Sequence, residues 1–149
     1  LNVASLDDIL NFSKNQPPFL QQLVKSFLPG PLTIILKAND NVPDWVNSDL
    51  TTVGFRMPNH PVTLELIREF GPLIGPSANI SGQASGVAFK EILKDFDQEV
   101  LGVEDDAYLT GQDSTILDLS GSKARILRQG AVTKEDILAK IPVIPFEEV

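Results

Sequence analysis

Ser77-Ala78-Asn79-Ile80-Ser81-Gly82 is a run of small, hydrogen-bonding residues with little apolar surface to bury. Its hydroxyls and amide can face a ligand, and its glycine lets a backbone approach closely. The run follows Leu73-Ile74, read as the end of a buried strand, across a break at Gly75-Pro76. Open α/β sheets take their ligands at loops of this kind. The competing reading is a polar turn whose Ser and Asn bond their own backbone. Arg56 adds a charge. It lies on the strand expected over Thr51–Met57, where alternation puts Thr52, Gly54 and Arg56 on one face and Val53, Phe55 and Met57 on the other. A half-buried guanidinium needs an anion, supplied by a protein carboxylate or by a ligand. Arg128 ends another strand, before the turn Gln129-Gly130.

Several chemistries are absent. No Gly-Lys-Ser/Thr follows a glycine run, and no Gly-x-Gly-x-x-Gly follows a strand. Gly75-Pro76-Ser77-Ala78-Asn79 is half of a nucleophile elbow, with Asn79 where the second glycine belongs, so a Ser77–His60 hydrolase has poor support. The remaining Ser, Thr, Asn and Arg residues at strand ends suit binding and orienting an anionic substrate better than nucleophilic attack.

Helices and strands must hold these residues. Ser5-Leu6-Asp7-Asp8 has capping-box form and predicts a helix burying Leu6, Ile9, Leu10 and Phe12. Pro17-Pro18 suits the first turn of a second helix whose apolar face runs from Phe19 to Leu28. Pro29-Gly30-Pro31 stops it, and Leu32–Leu36 reads as a buried strand. Trp45 either caps a core edge or lines a pocket. A third helix starts at Asn59-His60-Pro61, with Asn59 as N-cap, Val62, Leu66, Ile67 and Phe70 inward, and Gly71 as its stop. His60, at its start, is read as solvated or capping. A short helix around Ala88–Phe96 is expected to bury Phe89, Ile92, Leu93 and Phe96, and Glu99–Val103 has strand composition. Glu104-Asp105-Asp106 has the look of a Mg²⁺ cluster but reads better as an acidic surface loop. Ser114–Leu119 and Ala124–Arg128 form a hairpin signal around Ser120-Gly121-Ser122-Lys123. A last helix follows Thr133-Lys134-Glu135-Asp136 with Ile137 and Leu138 inward, and 141–149 is a tail with no assigned element.

The 149 residues suit one domain, and 42% apolar with 21% charged residues is ordinary for a water-soluble globular chain. No apolar run reaches the ~20 residues of a membrane span. Zero cysteines exclude a disulfide framework and fit a cytoplasmic protein, and one histidine excludes a multi-histidine metal site. A net charge of −8 argues against a broad nucleic-acid surface, while leaving room for a small anion pocket built on one or two arginines.

Pro29-Gly30-Pro31-Leu32-Thr33, Val53-Gly54-Phe55-Arg56-Met57-Pro58, Ser77-Ala78-Asn79-Ile80-Ser81-Gly82, Ser114-Thr115 and Arg128-Gln129-Gly130 occur here in one order. Together they resemble the YrdC-like family, the threonylcarbamoyl-adenylate synthases, from about Leu1 to about Lys140. The resemblance implies an α/β (α+β) fold, a twisted open mixed β-sheet flanked by helices, with a deep positive cleft. It implies that L-threonine, bicarbonate and ATP give threonylcarbamoyl-AMP and pyrophosphate, with Mg²⁺ accompanying the ATP and no metal held by the protein. Downstream tRNA-modifying partner enzymes would pass the threonylcarbamoyl group to an adenosine beside the anticodon. By resemblance Arg56 holds the threonine carboxylate, Ser77 and Asn79 position threonine and nucleotide phosphate, and Ser114 touches threonine. Thr52, Ser85 and Arg128, with Asn79, contact ATP. Arg56, Ser77 and Asn79 are thus the expected catalytic set.

The chain departs from the family pattern twice. Val87 stands where the family has Thr. The family's early Pro-Thr-Asp-Thr strand and Lys-x-Arg motif would lie before Leu1, so 1–140 is expected to be a YrdC-like domain lacking its N-terminal portion, with an exposed sheet edge and an incomplete cleft. A non-catalytic RNA-binding module of the same fold is the alternative function, since the family cleft is electropositive.

Overall fold

The computed structural model describes residues 1–96 and 100–148. Residues 1–74 and 112–149 form one compact unit, and Gly75–Gly111 form a second.

The larger unit is built on strand β2 (Leu32–Ala38). Its β-branched and leucine residues alternate buried and half-buried, so Leu32, Ile34 and Leu36 face a core while Thr33 and Ile35 face the other side. One edge of β2 pairs antiparallel with β3 (Thr52–Arg56), from Thr33↔Arg56 to Lys37↔Thr52. Its other partners are β4 (Thr115–Asp118), in parallel from Leu32↔Thr115 to Ile35↔Asp118, and the two-residue β1 (Ser13–Lys14), antiparallel at Ala38 and Lys37. Strand β5 (Arg125–Arg128) closes the hairpin antiparallel to β4. The result is an open, mixed, five-stranded sheet flanked by helices. The expected hairpin and both strand faces of β3 are present.

Helix α1 (Leu6–Phe12) begins where Ser5 Oγ accepts from the Asp8 amide, and Asp8 accepts in return from the Ala4 amide. It buries Ile9 fully, whereas Leu10, expected inside, is exposed. Helix α2 (Leu20–Phe27) starts later than the sequence predicts. Pro17 accepts from the Leu20 amide, so the proline pair makes the turn before the helix instead of its first turn. Leu20, Leu23 and Val24 of α2, Ile137 of α5 (Lys134–Lys140) and Phe55 of β3 share one core. Burial of each such side chain stabilises the fold by about 1.5–3 kcal/mol before chain entropy is counted. Thr133 and Asp136 cap α5 reciprocally, as expected. The stretch after α5 is not loose: Ile141 and Ile144 are buried in the same core, and the 145–147 backbone pairs with Ala124.

Helix α3 (Pro61–Phe70) corrects the sequence reading in two respects. His60, not Asn59, is the N-cap, its Nδ1 accepting from the Thr63 amide at 3.3 Å. Leu64 and Ile67 face inward, while Val62, Leu66 and Phe70 are exposed. The helix carries apolar residues on two sides, so periodicity alone could not choose between them. Gly71, at φ 88°, ends it as expected.

In the smaller unit, α4 (Phe89–Asp95) buries no residue fully, although Phe89, Ile92, Leu93 and Phe96 were expected inside. A segment this short has too little chain to enclose a core of its own. The strand expected over Glu99–Val103 begins outside the described residues, and Val100–Val103 form no strand, with Val100, Leu101 and Val103 exposed. Asp106 accepts from the Phe89 amide and Glu104 lies 3.9 Å from Lys90, so the acidic run is a surface loop serving its neighbours. No helix among the described residues is long and apolar enough to cross a membrane.

Candidate functional site

Residue pairing across the sheet puts Arg56, Thr33, Ile116 and Arg128 in a single row over β3, β2, β4 and β5. Directly paired residues share a face, so the row belongs to the side of the sheet opposite the main core. Ser114 is one pleat before Ile116 on that side. The row exists because of one irregularity. Ile126 pairs with buried Leu117, and alternation alone would turn Arg128 to the same core face. A bulge between Ile116 and Leu117 makes Leu127 the extra residue, leaves it 53% exposed, and brings Arg128 opposite Ile116 instead.

Both arginines are held by backbone carbonyls at the amino ends of the parallel strands. Arg56 Nε donates to the Gly30 carbonyl at 2.9 Å. Arg128 donates to the Ser114 carbonyl through Nε at 3.1 Å and Nη2 at 2.9 Å, and through Nη2 to Ser114 Oγ at 3.2 Å. Ser114 Oγ is in turn 3.2 Å from Thr33 Oγ1. Glycines make both anchor points possible. A Cβ on Gly30 would overlap the Phe27 carbonyl, and one on Gly130 would overlap the backbone of Asp113–Thr115. That second close approach is locked by buried Thr115, whose Oγ1 accepts from the Gly130 and Val132 amides and donates to the Val132 carbonyl.

Charge at this row is unbalanced. Among the described residues, no carboxylate lies within ion-pair distance of Arg56 or Arg128. Burial pushes the Arg56 guanidinium below its ordinary value, and the positive charge of Arg128 pushes it further the same way. Two guanidiniums that repel each other, one of them half-buried, make a place that an anion would stabilise. Of the two partners the sequence allowed for Arg56, the described residues supply no protein carboxylate.

The expected site residues divide between the units. Thr52, Arg56, Ser114 and Arg128 belong to the larger one. Thr52 shares the half-buried face of β3 with Arg56 but is four residues away, about 13 Å along the strand. Ser77, Asn79 and Ser85 belong to the smaller unit. Ser77 is exposed, and Asn79 donates its amide to the Ile80 and Gln83 carbonyls at 3.0 and 3.1 Å, holding its own loop. Ser85 is exposed and bonds the adjacent Gly86 carbonyl. Thr33 joins the row without having been singled out as a site residue. Its signal in the sequence was its cross-strand position, which only the register reveals.

Residues 1–130 match the Sua5/YciO/YrdC family model, described as telomere recombination. The chain belongs to this family. It is 36% identical to the threonylcarbamoyl-AMP synthase of Bacillus subtilis, over 99% of this chain and 44% of that protein. It is 34% identical to the synthase of Pyrococcus abyssi, over 92% of this chain and 41% of the relative. Among solved structures, P. abyssi Sua5 complexed with L-threonine superposes with a TM-score of 0.85 at 33% identity, covering 98% of this chain and 44% of the other. The fold alone is shared with E. coli YciO, at a TM-score of 0.80 and 24% identity over 93% and 68% of the two chains. The chain thus spans less than half the length of the first two relatives.

Proposed function

We propose that the protein carrying this chain is an L-threonylcarbamoyladenylate synthase, a cytoplasmic nucleotidyltransferase. It joins L-threonine, bicarbonate and ATP into threonylcarbamoyl-AMP, releasing pyrophosphate and water, for the threonylcarbamoyladenosine modification of tRNA. The observation that carries this reading is the row of two carbonyl-anchored arginines, with no carboxylate among the described residues within ion-pair distance of either. A synthase of this type must bring a carboxylate and a polyphosphate together, and it needs aligned positive charge more than a nucleophile. Arg56 suits the threonine carboxylate, since a guanidinium fork matches a carboxylate's two oxygens. Arg128, more exposed, suits the ATP phosphates, and Ser114 the threonine side. Thr52, Ser77, Asn79 and Ser85 keep the roles the family resemblance implies, with Ser77 as a positioning hydroxyl.

The deep cleft, and an N-terminal portion of the domain ahead of 1–140, belong to the same proposal. No group of three or more carboxylate or histidine side chains among the described residues fits a metal ion. Mg²⁺ enters this reading as a companion of the ATP substrate. Downstream tRNA-modifying enzymes would consume the product, since a mixed carbamoyl–phosphate anhydride is an activated donor.

The test is pyrophosphate release by the full-length protein. Release should require threonine, bicarbonate and ATP together. Release that persists with threonine withheld, or salt-sensitive RNA binding without any turnover, would overturn the synthase reading, the latter in favour of the RNA-binding module.

A further inference from the structure

We infer that Thr33 is a positioning and specificity residue of this site, acting through Ser114; the inference rests on the synthase reading. Thr33 is central in the row, paired with Arg56 on one side and Ile116 on the other. It is half-buried on the site face, and its Oγ1 is 3.2 Å from Ser114 Oγ. Arg128 Nη2 already donates to Ser114 Oγ, so that oxygen has one lone pair filled by a charged donor.

A serine hydroxyl has two lone pairs and one proton. When Thr33 donates to the second lone pair, Ser114 accepts twice and its only proton is left to point at a ligand. The Thr33 oxygen then keeps its own lone pairs for a ligand proton. The pair together offers one donor and one acceptor, which is the complement of an alcohol. A substrate that brings a hydroxyl beside a carboxylate held by Arg56 satisfies both. An analogue without that hydroxyl leaves the two groups unpaired, and sites built to bond a hydroxyl reject such analogues strongly.

Thr33→Val keeps the shape and removes the bond. The methyl that packs toward Gly54 remains, since a Cβ at Gly54 would be 3.4 Å from Thr33 Cγ2. In the full-length protein, T33V should raise KM for L-threonine about three- to tenfold, the effect of one lost hydrogen bond. KM for ATP should move less than twofold, and discrimination between L-threonine and L-valine should fall. Thr33→Ser should restore both. In an Ser114→Ala background T33V should add nothing further, because the two act as one unit. An unchanged threonine KM in folded T33V overturns the inference while leaving the synthase reading intact, as does a T33S protein that is as impaired as T33V. A wild-type protein without threonine-dependent turnover and without calorimetric binding of L-threonine overturns both.

Discussion

Gly130 shows how closely the site is tied to individual residues. A Cβ there would overlap the backbone of Asp113, Ser114 and Thr115, none of which is the movable end of a side chain. Gly130→Ala therefore has to push the turn off β4, losing the amide bonds to Thr115 Oγ1. Overpacking of this kind costs about 1–3 kcal/mol. The expected outcome is a lower melting temperature together with a raised KM for ATP, because Arg128 is two residues away and bonds the displaced Ser114. A G130A protein with wild-type melting and kinetics would show that the close approach is not needed. Arg56 was readable as an anchor from its place on an apolar strand, since a charge there demands a partner. That no carboxylate among the described residues pairs with it was not readable, because one could have come from anywhere in the chain.

At the level of elements, the β4–β5 hairpin carries its own pH dependence. Asp118 is buried beside its turn, paired with Arg125. Burial raises its pKa, but hydrogen bonds from the Ser120 hydroxyl and amide and from Arg125 outweigh this and hold the carboxyl below its ordinary value of 3.8. A folded-state pKa below the unfolded one gives stability that is complete above the unfolded value and is lost as pH falls through the folded one. The expected result is an acid limb of thermal stability below about pH 4 that Asp118→Asn flattens, measured as melting temperature against pH; an unchanged limb would contradict it. The hairpin itself was legible, because two β-branched runs flank a Ser-Gly-Ser-Lys turn. Its bulge was not. Alternation is counted along one strand, whereas a bulge is a mismatch between two, so the device that aims Arg128 leaves no periodic signature. Helix α3 failed for a related reason: its sequence offers two apolar stripes, and packing chose the one through Leu64 and Ile67.

For the molecule as a whole, composition and charge bear on which anions suit it. This chain has a net charge of −8 and an arginine pair with no carboxylate partner among the described residues, the pattern that a local anion site on an acidic surface would give. That combination favours selective capture of a small anion over broad attraction to nucleic acid, whose phosphates would meet a repelling surface elsewhere. The open mixed sheet was expected from the family resemblance, while strand composition and glycine–proline stops marked the individual elements and a lack of apolar residues marked the Ser-Ala-Asn loop. Asn79 follows the turn reading in part, spending its amide on its own loop. The central claim is that Arg56 and Arg128 hold two different anions, the threonine carboxylate and the ATP phosphates. Steady-state kinetics of Arg56→Ala and Arg128→Ala in the full-length protein test it most directly. R56A should raise KM for threonine about 10- to 100-fold, the effect of losing a hydrogen-bonded charge partner, with a smaller change for ATP. R128A should do the reverse. Equal losses for both substrates in both variants, or no loss in either, would contradict the account.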